Sequence, residues 1–279
     1  MVVLTPYMKT RLFNYIVYGF AIIGFTLVTG YLLLTFSFTN TRGIIDTQTK
    51  TFLGTTYKKD EYFFFPLTHT KEWIAFRIAV AKDIAMIDVV SQETGIPSRV
   101  LVAVLVPEQM RLFYTDRPIF KKFFEPLKIL GSQSQFSWGI FGIKEETALA
   151  VESHLRDSRS PYYLGKKFES KLLYTDLNRG TSSERFSRIT DQHNHRYSYL
   201  YAALYIAQIE KQWKGASHPV DTRPEILATL WNLGFSKSKP NGNPQSGGAE
   251  IDINGTKYSF GSLAKDFYYS DEMIELFPR

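Results

Sequence analysis

Thirty consecutive positions, Leu12 to Thr41, carry no charged residue ("LFNYIVYGFAIIGFTLVTGYLLLTFSFTNT"). Wound as an α-helix rising about 1.5 Å per residue, the stretch is longer than the roughly 30 Å hydrocarbon core of a bilayer. It ends in bulky residues without a small-residue cleavage pattern, so the sequence predicts a retained anchor rather than a removed signal. Lys9 and Arg11 precede it and only Arg42 follows closely. That asymmetry predicts a cytoplasmic N-terminus over residues 1–11 and a single-pass anchor over 12–41 in the cytoplasmic (inner) membrane. The remainder would face the periplasm or the cell exterior. Residues 42–70 read as a juxtamembrane stalk whose "YFFFP" cluster docks on the domain or the membrane surface, and residues 71–279 as one domain.

Beyond the stalk the apolar period changes to that of helices. "KEWIAFRIAVAKDIAMIDVVSQETG" has Ile74, Ile78, Ala81 and Ala85 at helical spacing and stops at Gly95. "IPSRVLVAVLV" predicts a second helix with Pro97 at its first position. Pro107 disfavours helical geometry at Val106, so this helix is expected to end or kink there, leaving Glu108 at or just past its end. A basic and aromatic insertion, "YTDRPIFKKFFEPLKILGSQSQ", comes next, then a Gly-containing loop, "FSWGIFG", leading into a helix near Lys144. "YSYLYAALYIAQIEKQWK" and "RPEILATLWNLGF" predict two strongly apolar helices. Residues 236–248 form a loop by composition, and Asn254-Gly255 is the favoured two-residue turn of a β-hairpin. An amphipathic helix over "LAKDFYYSDEMIELF" closes the chain. The pattern is that of a mainly α domain with one small β-hairpin.

Composition narrows the chemistry more than the charge does. There is no cysteine among the 279 residues, which removes disulfides, thiol catalysis and thiolate-metal sites. The excess of 33 Lys+Arg over 27 Asp+Glu is mild and selects no anionic partner, and no nucleic-acid partner is expected. "DQHNH", with Asp191, His193 and His195, lacks a third well-spaced ligand and reads as a solvated loop or helix cap, so no metal and no cofactor are expected.

Three separated segments resemble, in order, the lytic transglycosylase and goose-type lysozyme superfamily. "TGIPSRVLVAVLVPEQ" is similar to its opening helix, which leads to a catalytic glutamate. "SWGIFGIKEETA" resembles the loop S-x-G-x-x-Q-I-x-P-x-T-A, with Ser137, Gly139, Ile143, Thr147 and Ala148 matching, and "ATLWNLG" resembles a later helix ending in Y-N-x-G, with Asn232 and Gly234 matching. The resemblance covers residues 89 to 234 discontinuously. It departs at Gly142, where the family has glutamine, at Trp231, where it has tyrosine, at Gln109, where many relatives have serine, and in the longer spacing from Glu108 to Ser137.

The resemblance implies a lysozyme-like helical domain, preceded by the transmembrane helix, that cleaves the MurNAc–GlcNAc bond of peptidoglycan glycan strands. Glu108 would be the single catalytic group, acid first and then base on the muramic acid 6-hydroxyl, giving a 1,6-anhydro sugar. Ser137, Gly139, Ile143, Trp231 and Asn232 would bind substrate. The residues themselves suit the role, because Val104, Leu105 and Leu112 beside Glu108 have the composition of an apolar wall that disfavours the anion. Two alternatives stay open: a muramidase that uses water, with Asp116, Glu125, Glu145 or Glu146 as a second carboxylate, and a degenerate glycan-binding scaffold of an envelope assembly. No protein partner can be named from the sequence.

Overall fold

The computed structural model describes residues 65–114, 137–174 and 180–279, together with Tyr18 and Phe25. The chain divides into Met1–Arg42 and Gly43–Arg279, and all the elements below belong to the second unit. The predicted anchor (12–41) lies outside the described residues except for Tyr18 and Phe25, both helical and exposed. Most of the stalk and residues 115–136 of the insertion also lie outside them. Among the described residues no single helix is long and apolar enough to cross a membrane.

Eight helices and two short hairpins make up the described part, which is mainly helical. They are α1 (Lys71–Lys82), α2 (Ile84–Thr94), α3 (Ser98–Tyr114), β1 (Ser137–Trp138), β2 (Ile143–Lys144), α4 (Glu145–Arg156), α5 (Thr181–Thr190), α6 (Arg196–Gly215), α7 (Pro224–Leu233), β3 (Glu250–Ile253), β4 (Thr256–Ser259) and α8 (Phe260–Tyr269). The hairpin β3–β4 turns at Asn254–Gly255, as its sequence predicts, and pairs Ile253 with Thr256. The helices predicted near Lys144 and from the two apolar runs correspond to α4, α6 and α7.

Helix α3 is the centre of the domain. It packs against α1, α2, α6, α7, α8 and β3, and every residue from Arg99 to Glu108 is buried. This position explains why the expected stop at Pro107 does not occur. Proline removes one N–H and crowds the preceding turn, at a cost of about 3 kcal/mol. Apolar burial recovers about 1.5–3 kcal/mol for each large side chain kept in the core. The helix therefore runs through Pro107 to Tyr114, and Glu108 lies within it, not beyond its end.

The first predicted helix is two. α1 ends at Lys82 and α2 starts at Ile84, with Asp83 between them accepting from His195 Nδ1 at 2.7 Å and from the Tyr199 hydroxyl at 3.1 Å. The stripe that signalled it faces outward, with Ile74 49% and Ile78 58% exposed. Trp73, Phe76 and Val80 are buried instead, Trp73 stacking on Phe76 with ring centroids 5.1 Å apart. Aromatic rings remove more area from water than Ile and Ala do, so they decide the face. The core begins before residue 71: Phe65 of the "YFFFP" cluster and Leu67 are buried, and Phe65 sits 4.4 Å from Trp73.

The closing helix starts earlier and stops sooner than its pattern predicts, at Tyr269. Arg99 is the cause. Its fully buried guanidinium donates to five carbonyls, those of Phe267, Tyr268, Ser270, Glu272 and Phe277, and so folds the last ten residues back onto α3. Burial lowers its pKa to about 10, with Arg279 adding to the effect, and it stays charged at neutral pH.

Two carboxyls give the domain a pH dependence. Burial, with Asp221 nearby, raises Glu210 to about 7, and burial raises Asp266 to about 6. Both hold a proton more tightly in the folded chain than in the unfolded one. Their contribution is therefore full below about pH 4 and is lost as pH rises through 6 and 7. Thermal melts should show lower stability at pH 8 than at pH 5, by about 2.5 kcal/mol from Glu210 and about 1.4 kcal/mol from Asp266 on the scale of 1.36 kcal/mol per pKa unit. Glu210→Gln should remove its share, and a melting temperature independent of pH in both proteins would overturn the assignment.

Candidate active site around Glu108

The three sequence segments that resemble one family meet in space. Glu108 projects from α3 with 2% of its surface exposed. Its neighbour Gln109 donates through Nε2 to the Ile140 carbonyl, in the turn between β1 and β2. Phe141 in the same turn packs edge-on against Trp231 of α7, centroids 5.5 Å apart, and Trp231 packs against Tyr205 of α6 at 5.0 Å. A second route closes the ring. The Arg111 guanidinium lies 5.8 Å from the Phe260 ring centre; the Phe260 N–H donates to the Ala249 carbonyl (3.1 Å), and the Ala249 N–H donates to Asn232 Oδ1 (2.7 Å). Glu108, the hairpin turn and the Trp231–Asn232 pair therefore share one neighbourhood, despite their separation along the chain.

The individual roles expected for these residues differ in what the geometry leaves to them. Ser137 is in β1, its backbone opposite Lys144. Ile143 is buried in the core, so its side chain packs the domain instead of facing a ligand. Asn232 spends its carbonyl oxygen on the chain entering β3. Trp231 is only partly buried.

Gly139 and Gly142 both take positive φ, +64° and +58°, and the Gly142 N–H donates to the Gly139 carbonyl at 3.2 Å. That turn gives a physical reason for glycine at 142, where the resembled family carries glutamine, since a side chain there would be strained. At Gly139 a Cβ would lie 2.3 Å from the Ile189 carbonyl oxygen and 2.6 Å from Ser198 Oγ. The site is thus locked by α5 and α6 behind the hairpin. Gly139→Ala should cost at least about 3 kcal/mol from dihedral strain plus backbone clash. A melt within 1 °C of the parent would show that the hairpin shifts freely.

Glu108 is not set against an apolar wall alone. Arg111, one turn further along α3, donates through Nη2 to Glu108 Oε1. This pair was not foreseen, although an i, i+3 spacing of opposite charges on one helix is a readable signal. Of the second carboxylates considered, Glu145 accepts from Ser182 and pairs with Arg185 at 3.5 Å, and Glu146 pairs with Lys144 at 3.7 Å. Asp116 and Glu125 lie outside the described residues.

Two other polar clusters stand apart from Glu108. Asp191 caps its own loop by accepting from the backbone of His193 and Asn194, while His195 turns to Asp83. Among the described residues no group of three or more potential ligands is placed to hold a metal ion. A cavity of about 610 Å³ opens between α4 and α5, with Glu152, Arg156, Arg159, Tyr174 and Arg185 in its lining. Its floor is a buried pair in which Arg185 Nε and Nη2 donate to Glu152 at 2.7 and 2.9 Å, with the Tyr201 and Tyr174 hydroxyls donating to the same carboxylate. Burial alone would raise the Glu152 pKa, but these donors together hold it below the ordinary value. With its carboxylate oxygens so engaged, the pair reads as a fold-stabilising network.

No family model matches the chain, and comparison with curated proteins and with solved structures finds no match. The geometry establishes a mainly α-helical domain with a buried glutamate on its central helix.

Proposed function

We propose that this chain is a divergent, membrane-anchored member of the lytic transglycosylase and goose-type lysozyme superfamily. In this reading its lysozyme-like domain faces outward from the cytoplasmic membrane and cleaves the MurNAc–GlcNAc bond of peptidoglycan strands. One observation carries the reading: the hairpin turn that resembles the family loop is tied to the Glu108 helix by Gln109 and to Trp231 by Phe141. The ordered motifs thus converge on a desolvated carboxyl.

The reaction balances on Glu108 alone. The carboxylic acid gives its proton to the glycosidic oxygen as the C1–O4 bond breaks and its electron pair goes to that oxygen. The resulting carboxylate then takes the proton of the C6 hydroxyl as the O6–C1 bond forms, so no water is consumed and Glu108 ends protonated again. Trp231 offers an aromatic face for a sugar ring and an N–H donor, but no acceptor.

A second reading has specific support. Glu108 is held in an ion pair by Arg111, and Asn232 and Ile143 serve the fold. These features suit a glycan-binding scaffold that has lost turnover. Mass spectrometry of purified sacculi digested with the full-length chain decides among the readings. Anhydro-muramyl ends are expected, reducing ends would point to a muramidase, and intact glycan that still binds the protein would point to the scaffold.

A further inference from the structure

Helix α1 is apolar on two faces, and the domain packs one of them. Trp73, Phe76 and Val80 enter the core, while Ile74, Ala75, Ile78, Ala79 and Ala81 are exposed. Ile74 and Ile78 line an apolar groove of about 270 Å³ with Met273 and Leu276 of the C-terminal tail. Nothing among the described residues covers it. A helix that is apolar all round calls for cover on both sides, and a contiguous apolar patch on a surface marks an interaction site. The charges presented around this patch are basic. The Lys71 side chain is 91% exposed over Glu72 at 18%, and that of Arg77 is 49% exposed over Glu272 at 13%. Lys82 at the end of α1 is also exposed, and the exposed acid Glu275 lies next to Leu276 on the tail. The acidic partners of Lys71 and Arg77 thus lie deeper than the cations they hold.

We propose that this face of α1 docks on the surface of a bilayer containing anionic phospholipid, with Ile74 and Ile78 in the headgroup layer and Lys71, Arg77 and Lys82 against the phosphates. The position of α1 in the chain selects this occupant. The predicted anchor ends at Thr41, and α1, starting at Lys71, is the first element described after it. A surface tethered so close to its target needs little affinity of its own, because the second contact is made within one assembly. An amphipathic helix lies in the plane of the interface when its apolar face meets the acyl boundary and its Lys and Arg meet anionic headgroups. The long stems of Lys and Arg let their charges reach those headgroups while the isoleucines go deeper. The inference rests on the anchor in the proposed function and not on the chemistry of Glu108.

The test places one full-length chain in each nanodisc of phosphatidylglycerol and phosphatidylcholine, with a nitroxide quencher on the lipid headgroups. The chain has no cysteine, so Ala79→Cys on the outward face and Ser158→Cys in the exposed loop after α4 each take a single fluorophore. The label at 79 should be quenched by the lipid and the label at 158 should not. Lys82→Gln should lower the ratio of docked to free label about fivefold, the effect of one basic side chain at an anionic surface. Ile74→Glu combined with Ile78→Glu should lower it by at least about tenfold, with the melting temperature unchanged because both side chains face outward. Should the double variant not melt cooperatively, the Lys82→Gln ratio decides. Equal quenching at 79 and 158, or ratios that neither change moves, overturns the docking. A label at 79 that is shielded from water yet not quenched by lipid means that protein covers the face, and it also overturns the docking while the anchor stands. Release of the parent chain from vesicles by alkaline carbonate overturns the anchor and the docking together.

Discussion

Glu108→Gln should lower cleavage of purified sacculi by at least about a hundredfold, the scale of losing a general acid, while glycan binding persists. The amide keeps the shape and can still accept from Arg111, but it has no carboxylic proton to give. A carboxyl set against apolar residues alone would leave the variant as stable as the parent or slightly more so. The ion pair changes that expectation. Replacing a buried carboxylate by a neutral amide weakens its contact with the Arg111 guanidinium, which is itself largely enclosed. A loss of about 1–2 kcal/mol in stability is expected, well short of unfolding. Turnover and thermal melts of both proteins check the two parts separately. Equal turnover would reduce Glu108 to a structural member of α3. A collapse in stability would show that the ion pair is needed for folding itself.

The second large effect is expected far from the candidate site. Arg99→Met should destabilise the domain by at least about 4 kcal/mol, because five carbonyls lose a charged donor in a setting closed to water. Arg99→Lys should recover only part of this, since an ammonium has three N–H donors and no planar fork. The measurement is the midpoint of chemical denaturation, with limited proteolysis reporting whether the last ten residues are released before global unfolding. Stability within 1 kcal/mol of the parent would mean that the tail finds other partners. Because α3 carries both Arg99 and Glu108, proteolytic release of the tail together with loss of glycan cleavage would connect its docking to the site.

The candidate site was legible in part. Glu108, the Ser137 loop and Trp231–Asn232 stood out as motifs, and their spatial convergence agrees with their order in the chain. Their separate duties were not legible. The sequence does not show that Asn232 is spent on the Ala249 N–H, that Ile143 is a core residue, or that Gly139 is pressed against Ile189 and Ser198. Each of those facts depends on elements that are distant in the chain. The Arg111 contact is the exception, because its i, i+3 spacing is local.

What the sequence determined by itself is what short-range energetics can fix. Two apolar runs marked α6 and α7, the loop after the insertion led into a helix near Lys144 that is α4, and Asn254-Gly255 set the turn and register of β3–β4. The tertiary structure decided which face α1 buries, where the chain breaks at Asp83, that α3 continues through Pro107, and that Arg99 lies inside. Local preferences are worth a few tenths of a kcal/mol per residue, with proline near 3. Packing on all sides of α3, together with a buried charge holding five carbonyls, involves several times that. Where the two scales disagree, the contacts made across the chain prevail.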